Sequence, residues 1–144
     1  MTKMRSYGIA ARADDRFKVE VTAGTRTLIV DQPLAVGGSD AGATPIDHLL
    51  AALAGCLATT ARIIASQRQL PLHGMAIQID GALDLLVLAG KSAGHAGLSG
   101  LAIRVSLDAE LAAAERSAFL NELRVRCPVY ATIAATTPIT LDAA

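Results

Sequence analysis

Hydrophobic and polar positions divide the chain into three blocks, with no linker between them. In residues 1–43 the stretch Phe17-Lys18-Val19-Glu20-Val21 alternates strictly, the period of a half-buried strand. Ala23-Gly24 then predicts a turn into a second strand from Thr25 to Asp31, completing a hairpin. Gly37-Gly38-Ser39-Asp40-Ala41-Gly42 follows as a flexible loop.

Residues 44–70 carry the strongest helical signal. Thr44 suits the N-cap, Pro45 the first helical position, and Asp47 completes a Thr-x-x-Asp capping box. The body is apolar nearly all round until Arg62, and a helix apolar on every side is buried in the centre of a domain or an assembly. At 1.5 Å per residue it would run on the order of 36 Å, a rod that one short chain cannot easily wrap. Gly55 lowers helix propensity by roughly 1 kcal/mol, which points to close approach by another helix or a substrate.

In residues 71–144 two alternating stretches, Met75 to Asp80 and Leu101 to Leu107, predict strands, with Leu83 to Leu88 extending the first. A Gly-rich loop lies between them. Asp108 is expected to cap an amphipathic helix over residues 109–126, with Leu111, Ala114, Ala118 and Leu123 on its apolar face. Cys127-Pro128 should open a short helix to about Ala135, and Pro138 to Leu141 a last strand. Grouped strands and helices without regular alternation predict an α+β fold.

Composition narrows the function. The 144 residues fit one domain. Thirteen basic and 13 acidic side chains balance to zero, which removes the electrostatic footprint of a nucleic-acid binder. The aromatics are 3% of the chain, too few for a base-stacking platform. Charged residues make up only 18% and hydrophobic ones 52%, which hints at surface covered by a partner. One residue in five is alanine, so small side chains must fill the core and helices approach closely.

The N-terminus lacks the apolar region of a signal peptide, and the longest apolar run, Leu49 to Ala58, is half of a membrane span. The expectation is a cytoplasmic protein without a membrane segment. Gly90-Lys91-Ser92 is not a phosphate-binding loop, because Leu85 stands where the pattern needs glycine. His48, His73 and His95 show no paired spacing for a metal.

Cys56, in the long helix, and Cys127, before Pro128, are the whole thiol inventory. Cys56 reads either as a small buried hydrophobe or as a reactive thiol that needs a cation beside it. Cys127 at a helix N-cap would have its thiolate favoured by backbone N–H groups, the helix dipole, and nearby Arg124 and Arg126. The alternative is an ordinary cap.

TPIDHLLAALAGCLATTARI, with CPVYATI 71 residues beyond Cys56, resembles the OsmC/Ohr family of osmotically inducible and organic hydroperoxide resistance proteins. FKVEV, TLIVDQPLAVGG and GMAIQIDGALD extend the likeness over almost the whole chain, closer to the OsmC-like branch. The resemblance implies antiparallel sheets wrapped around long central helices of an intertwined homodimer, with sites at the subunit interface. It also implies a thiol peroxidase without a cofactor. Cys56 would attack an organic hydroperoxide or hydrogen peroxide and become a sulfenic acid, which Cys127 captures as a disulfide. A dithiol donor, in the family often a lipoylated protein, would reduce the pair.

The Ohr branch activates its cysteine with an arginine from an N-terminal strand of the partner, held by a glutamate directly after the proline. Here Arg5 is the best match, with Arg12 and Arg16 as rivals. Ile46 follows Pro45, and the acid comes one place later as Asp47, which an ideal helix turns away from Cys56. Asp47 therefore reads as a capping residue or a displaced catalytic partner, with His48 a substitute. The departure keeps open a non-catalytic module that binds an apolar ligand, or a thiol redox sensor.

Overall fold

The computed structural model describes residues 2–143. The protein is α+β and divides into two compact units, residues 1–51 and 52–144. The helix that links them contributes its first turns to one unit and the rest to the other.

The first unit is built on a three-stranded antiparallel sheet in the order β1 (Ala10–Ala13), β2 (Val19–Ala23) and β3 (Arg26–Val30). The hairpin expected at Ala23-Gly24 forms, with Ala23 opposite Arg26. Gly24 turns the chain at a φ of 63°, where a side chain would be strained. β1 carries no alternating signal, and all four of its residues are exposed.

Beyond β3 the chain folds back through a 3-10 turn at Leu34–Val36, and Asp31 donates its amide to the Ala43 carbonyl. A Cβ at Gly38 would lie 1.8 Å from the Gln32 carbonyl oxygen, and one at Gly42 2.1 Å from that of Ile29. Only glycine permits so close an approach of the loop to the strand it follows.

α1 (Pro45–Arg68) starts with the cap read from the sequence. The Thr44 amide and hydroxyl donate to Asp47 Oδ2 at 3.1 and 2.6 Å, and the Asp47 amide donates to Thr44 Oγ1 at 3.2 Å. The helix ends two residues earlier than expected, where Gln69 takes a φ of 54°. By length and composition alone α1 could cross a membrane, a test that buried core helices also pass. One face, including Leu53, Leu57, Ala61 and Ile64, is buried. The rest is not buried within one copy of the chain. Ala51, Ala52, Gly55, Thr59 and Ile63 are exposed, and the space over Gly55 is open.

In the second unit β4 (Gly74–Gly81) and β5 (Leu101–Asp108) pair antiparallel along their full length, Gly74 opposite Asp108 and Gly81 opposite Leu101. Ile77, Ile79, Ile103 and Val105 turn one face of this ribbon toward the core, formed with α1 and with α3 (Ala113–Arg126). Arg62 closes the α1–β4 connection by donating to the carbonyls of Leu72 and His73.

Five sequence expectations are corrected here. Leu83 to Leu88 does not extend β4: Asp84 accepts the Leu86 amide at 2.8 Å and starts a helical turn, α2 (Leu85–Leu88). Asp108 ends β5, and the N-cap of α3 is Ala112 instead. α3 begins four residues later than expected, where Glu115 reaches back to the Ala112 amide at 2.9 Å. Its buried face rests on Phe119 and Leu123, whereas Ala114 and Ala118 are exposed. Pro138 to Leu141 forms no strand, and Ile139 and Leu141 lie exposed.

Candidate functional site

The second unit brings Cys56 and Cys127 together. Cys56 sits on α1 between Leu53 and Leu57, both of which point into the core, so its thiol lies at the edge of that buried face and is half-buried. Cys127 closes α3 and opens α4 (Pro128–Ala134), whose first residue, Pro128, needs no amide partner. The Cys127 amide donates to Leu123 at 3.0 Å and its carbonyl accepts from Ala131 at 3.0 Å, so the backbone on both sides of the thiol is fixed. Both cysteines are free.

Cys56 packs against the core cluster that contains Cys127, near enough for each thiol to act on the other. Cys127 is wholly buried beside Leu123 and Phe119. That burial pushes its thiol up, and the neighbouring Cys56 acts in the same direction. The Tyr130 and Val129 amides at the start of α4 favour the thiolate, as the N-cap position suggested, but burial outweighs them. The expectation of an activated Cys127 thiolate is therefore corrected. Arg126 does not assist: it is engaged with Glu122 and with Gln67 at 2.8 Å.

Chemically this is an asymmetric pair. One residue is partly exposed, and the other is buried, with its thiol protonated, in the cluster against which the first packs. Two thiols packed together in this way can form a disulfide once the more exposed sulfur is oxidised.

A cavity of about 430 Å³ lies beside the pair, within the same unit. Neither cysteine lines it, but their neighbours do: Leu53 and Leu57 flank Cys56, Leu123 and Arg124 precede Cys127, and Tyr130 follows it.

The other candidate residues belong to the first unit. The Arg5 guanidinium lies over the Tyr7 ring, 5.1 Å from its centroid, a cation–π contact on exposed chain ahead of β1. Arg12 is carried by β1, and the Arg16 amide donates to Asp14 at 2.9 Å. Asp47 Oδ2 is occupied by the cap, and the Thr44 hydroxyl, with the Thr44 amide, holds the carboxyl below its ordinary value. His48 Nδ1 donates to the Thr44 carbonyl at 3.0 Å.

One polar centre was missed in the sequence. Asp31 is buried, and its carboxylate accepts the Ser39 hydroxyl at 2.6 Å, the Ser39 and Ala41 amides at 3.1 Å each, and the Gln32 amide at 2.8 Å. The Ser39 hydroxyl above all, then the Ala41 and Gln32 amides, hold its pKa down to about 2 against the opposing effect of burial. The signal was available: an aspartate closing a strand eight residues before Ser-Asp in a Gly-rich loop.

A sequence model of OsmC-like proteins matches residues 37–142. No curated protein matches the sequence. Among solved structures, an OsmC-like protein from Mycoplasma pneumoniae superposes with a TM-score of 0.77 at 19% identity, covering 90% of this chain and 88% of its own. An organic hydroperoxide resistance protein OsmC from Legionella pneumophila gives 0.68 at 20% identity, covering 92% and 91%. An organic hydroperoxide resistance protein from Elizabethkingia anophelis gives 0.67 at 15%, covering 91% and 89%. At these identities the likeness shows the fold.

Proposed function

The chain belongs to the OsmC-like family, and on that premise we propose that it is a cysteine-dependent peroxidase acting on organic hydroperoxides. The observation that carries the reading is the packing of a partly exposed Cys56 against the core cluster that buries Cys127. Structural relatives that are organic hydroperoxide resistance proteins support it.

The Cys56 thiolate attacks the distal peroxide oxygen. The O–O bond breaks, the alcohol leaves with a proton, and sulfur is oxidised to a sulfenic acid. The Cys127 thiol then attacks the Cys56 sulfur, expelling water and leaving a disulfide. An external dithiol reduces the disulfide, itself becoming oxidised, and restores both thiols. Burial of Cys127 keeps the resolving sulfur away from solvent and directed at its partner. A lipoylated protein is the proposed donor in this scheme, and the cytoplasm the proposed compartment.

The activating cation is assigned to an arginine of the first unit, Arg5, Arg12 or Arg16, supplied by a second copy of the chain. Support for a homodimer comes from the exposed small-residue face of α1 and from apolar side chains left open in the first unit, among them Tyr7 and Ile9. Asp47 enters as the cap that starts α1. His48 and Asp47 are the nearest counterparts of the glutamate that the Ohr branch places after its proline.

The test is consumption of cumene hydroperoxide with dithiothreitol as reductant. Cys56→Ser should lower turnover by more than about 1,000-fold, as loss of a covalent nucleophile does. Equal slow rates for wild type and Cys56→Ser would defeat the proposal. Arg5→Ala, Arg12→Ala and Arg16→Ala separate the three cations: the activating one is the arginine whose loss raises the pH at which Cys56 reacts with peroxide.

A further inference from the structure

The cavity beside the cysteine pair carries a charged group that the thiol chemistry does not use. Its walls are aliphatic, with Leu53 and Leu57 from α1, Ile103 and Val105 from β5, and Leu120 from α3, and no carboxylate lines it. Arg124 and Tyr130 are its polar groups. Its volume of about 430 Å³ falls in the range of roughly 300–1,000 Å³ typical of small-molecule sites.

A second, independent observation concerns the arginines. Residues 52–144 contain six. Arg62 donates to the Leu72 and His73 carbonyls, and Arg116 to those of Leu107 and Ala109. Arg68 and Arg126 pair with Glu122, and Arg104 with Asp80. Arg124 alone has no hydrogen bond or ion pair among the described residues, and it is the arginine that lines the cavity. The Tyr130 hydroxyl has no hydrogen-bond partner among the described residues either. A guanidinium at an apolar cavity that no carboxylate lines is complementary to an anion attached to an apolar body.

We propose that this cavity binds an amphiphile with an apolar chain and a carboxylate head, and that Arg124 is the specificity residue that selects the charge. Binding needs neither cysteine, so this assignment stands or falls apart from the peroxidase reading.

The experiment titrates the reduced Cys56→Ser protein, which cannot turn over peroxide, with decanoate, decanol and the shorter octanoate by calorimetry. Decanoate should bind at least about 10-fold more tightly than decanol, the effect of one charge-assisted hydrogen bond. Removing two methylenes should weaken carboxylate binding by roughly fourfold each. Arg124→Gln, at an exposed position, should abolish the preference for decanoate while leaving decanol binding unchanged. Ala134→Trp, which places bulk at the cavity wall, should weaken both ligands.

Equal affinity for decanoate and decanol would overturn the proposal, as would an Arg124→Gln variant that keeps the preference. A protein that sediments as a dimer and binds neither ligand would also overturn it, with a second copy of the chain then the occupant of the cavity.

Discussion

In residues 52–144 the core is hydrocarbon: Leu53, Ile64, Phe119 and Leu123 are all but inaccessible, and Cys127 is buried among them. In residues 2–51 the only buried side chain among those described is a carboxylate, Asp31. Phe17, Leu28 and Leu34 are exposed there, by 54%, 45% and 71%. Burial of apolar area stabilises the second unit, whereas the first is held by strand pairing and by the four hydrogen bonds converging on Asp31.

The contrast suits the chemistry proposed for each. A resolving thiol that must stay protonated and aligned gains from a rigid, dry surrounding. A segment proposed to bring an arginine to another copy's thiol gains from apolar surface still free to be covered.

The largest way to break the contrast is Phe119→Ala. Truncating that side chain should cost about 3–5 kcal/mol, measured by denaturant unfolding. The Ser39 and Ala41 amides should exchange with solvent no faster than global unfolding dictates. If they lose protection in a separate, earlier step, the two units unfold independently.

Next comes acid. The Asp31 carboxyl has a folded pKa near 2, below its ordinary value of 3.8, so its stabilising effect is complete above about pH 4. That effect is lost as pH falls toward 2, because the protonated form no longer accepts the four donors. The protection of the Ser39 and Ala41 amides, relative to the intrinsic exchange rate at each pH, should fall over that window, and Asp31→Asn should show lowered protection already at neutral pH. Unchanged protection of both amides at pH 2 would contradict the role given to Asp31.

The smallest effect is at the junction. Thr44→Ala removes one side of the α1 cap and should cost about 1 kcal/mol, read from the unfolding midpoint. A loss much greater than that would mean that the cap supports more than the helix start.

The same contrast explains what could be read along the chain. The α1 cap was legible because Thr44, Pro45 and Asp47 act on each other locally, and the hairpin because Gly24 supplies its turn. The Cys56–Cys127 candidate pair was legible from the family motifs, but its contact depends on how α1 and α3 pack. β1 was invisible because its fully exposed residues have no reason to alternate. The start of α3 was misread because Glu115 reaching backwards, rather than Asp108 reaching forwards, satisfies its first amide. The strand expected at Pro138 to Leu141 has no neighbour to pair with among the described residues. Cys127 was misjudged because proximity in sequence to Arg124 and Arg126 says nothing about burial, which decides its protonation.

The central claim is that Cys56 is oxidised first and that Cys127 resolves it. Intact mass after one equivalent of cumene hydroperoxide, on wild type and Cys127→Ser, tests it most directly. The account predicts loss of two hydrogen atoms in wild type, reversed by dithiothreitol, and gain of one oxygen atom at Cys56 in Cys127→Ser. An unmodified mass in both proteins, or an oxygen retained on wild-type Cys56 with no disulfide formed, would contradict it.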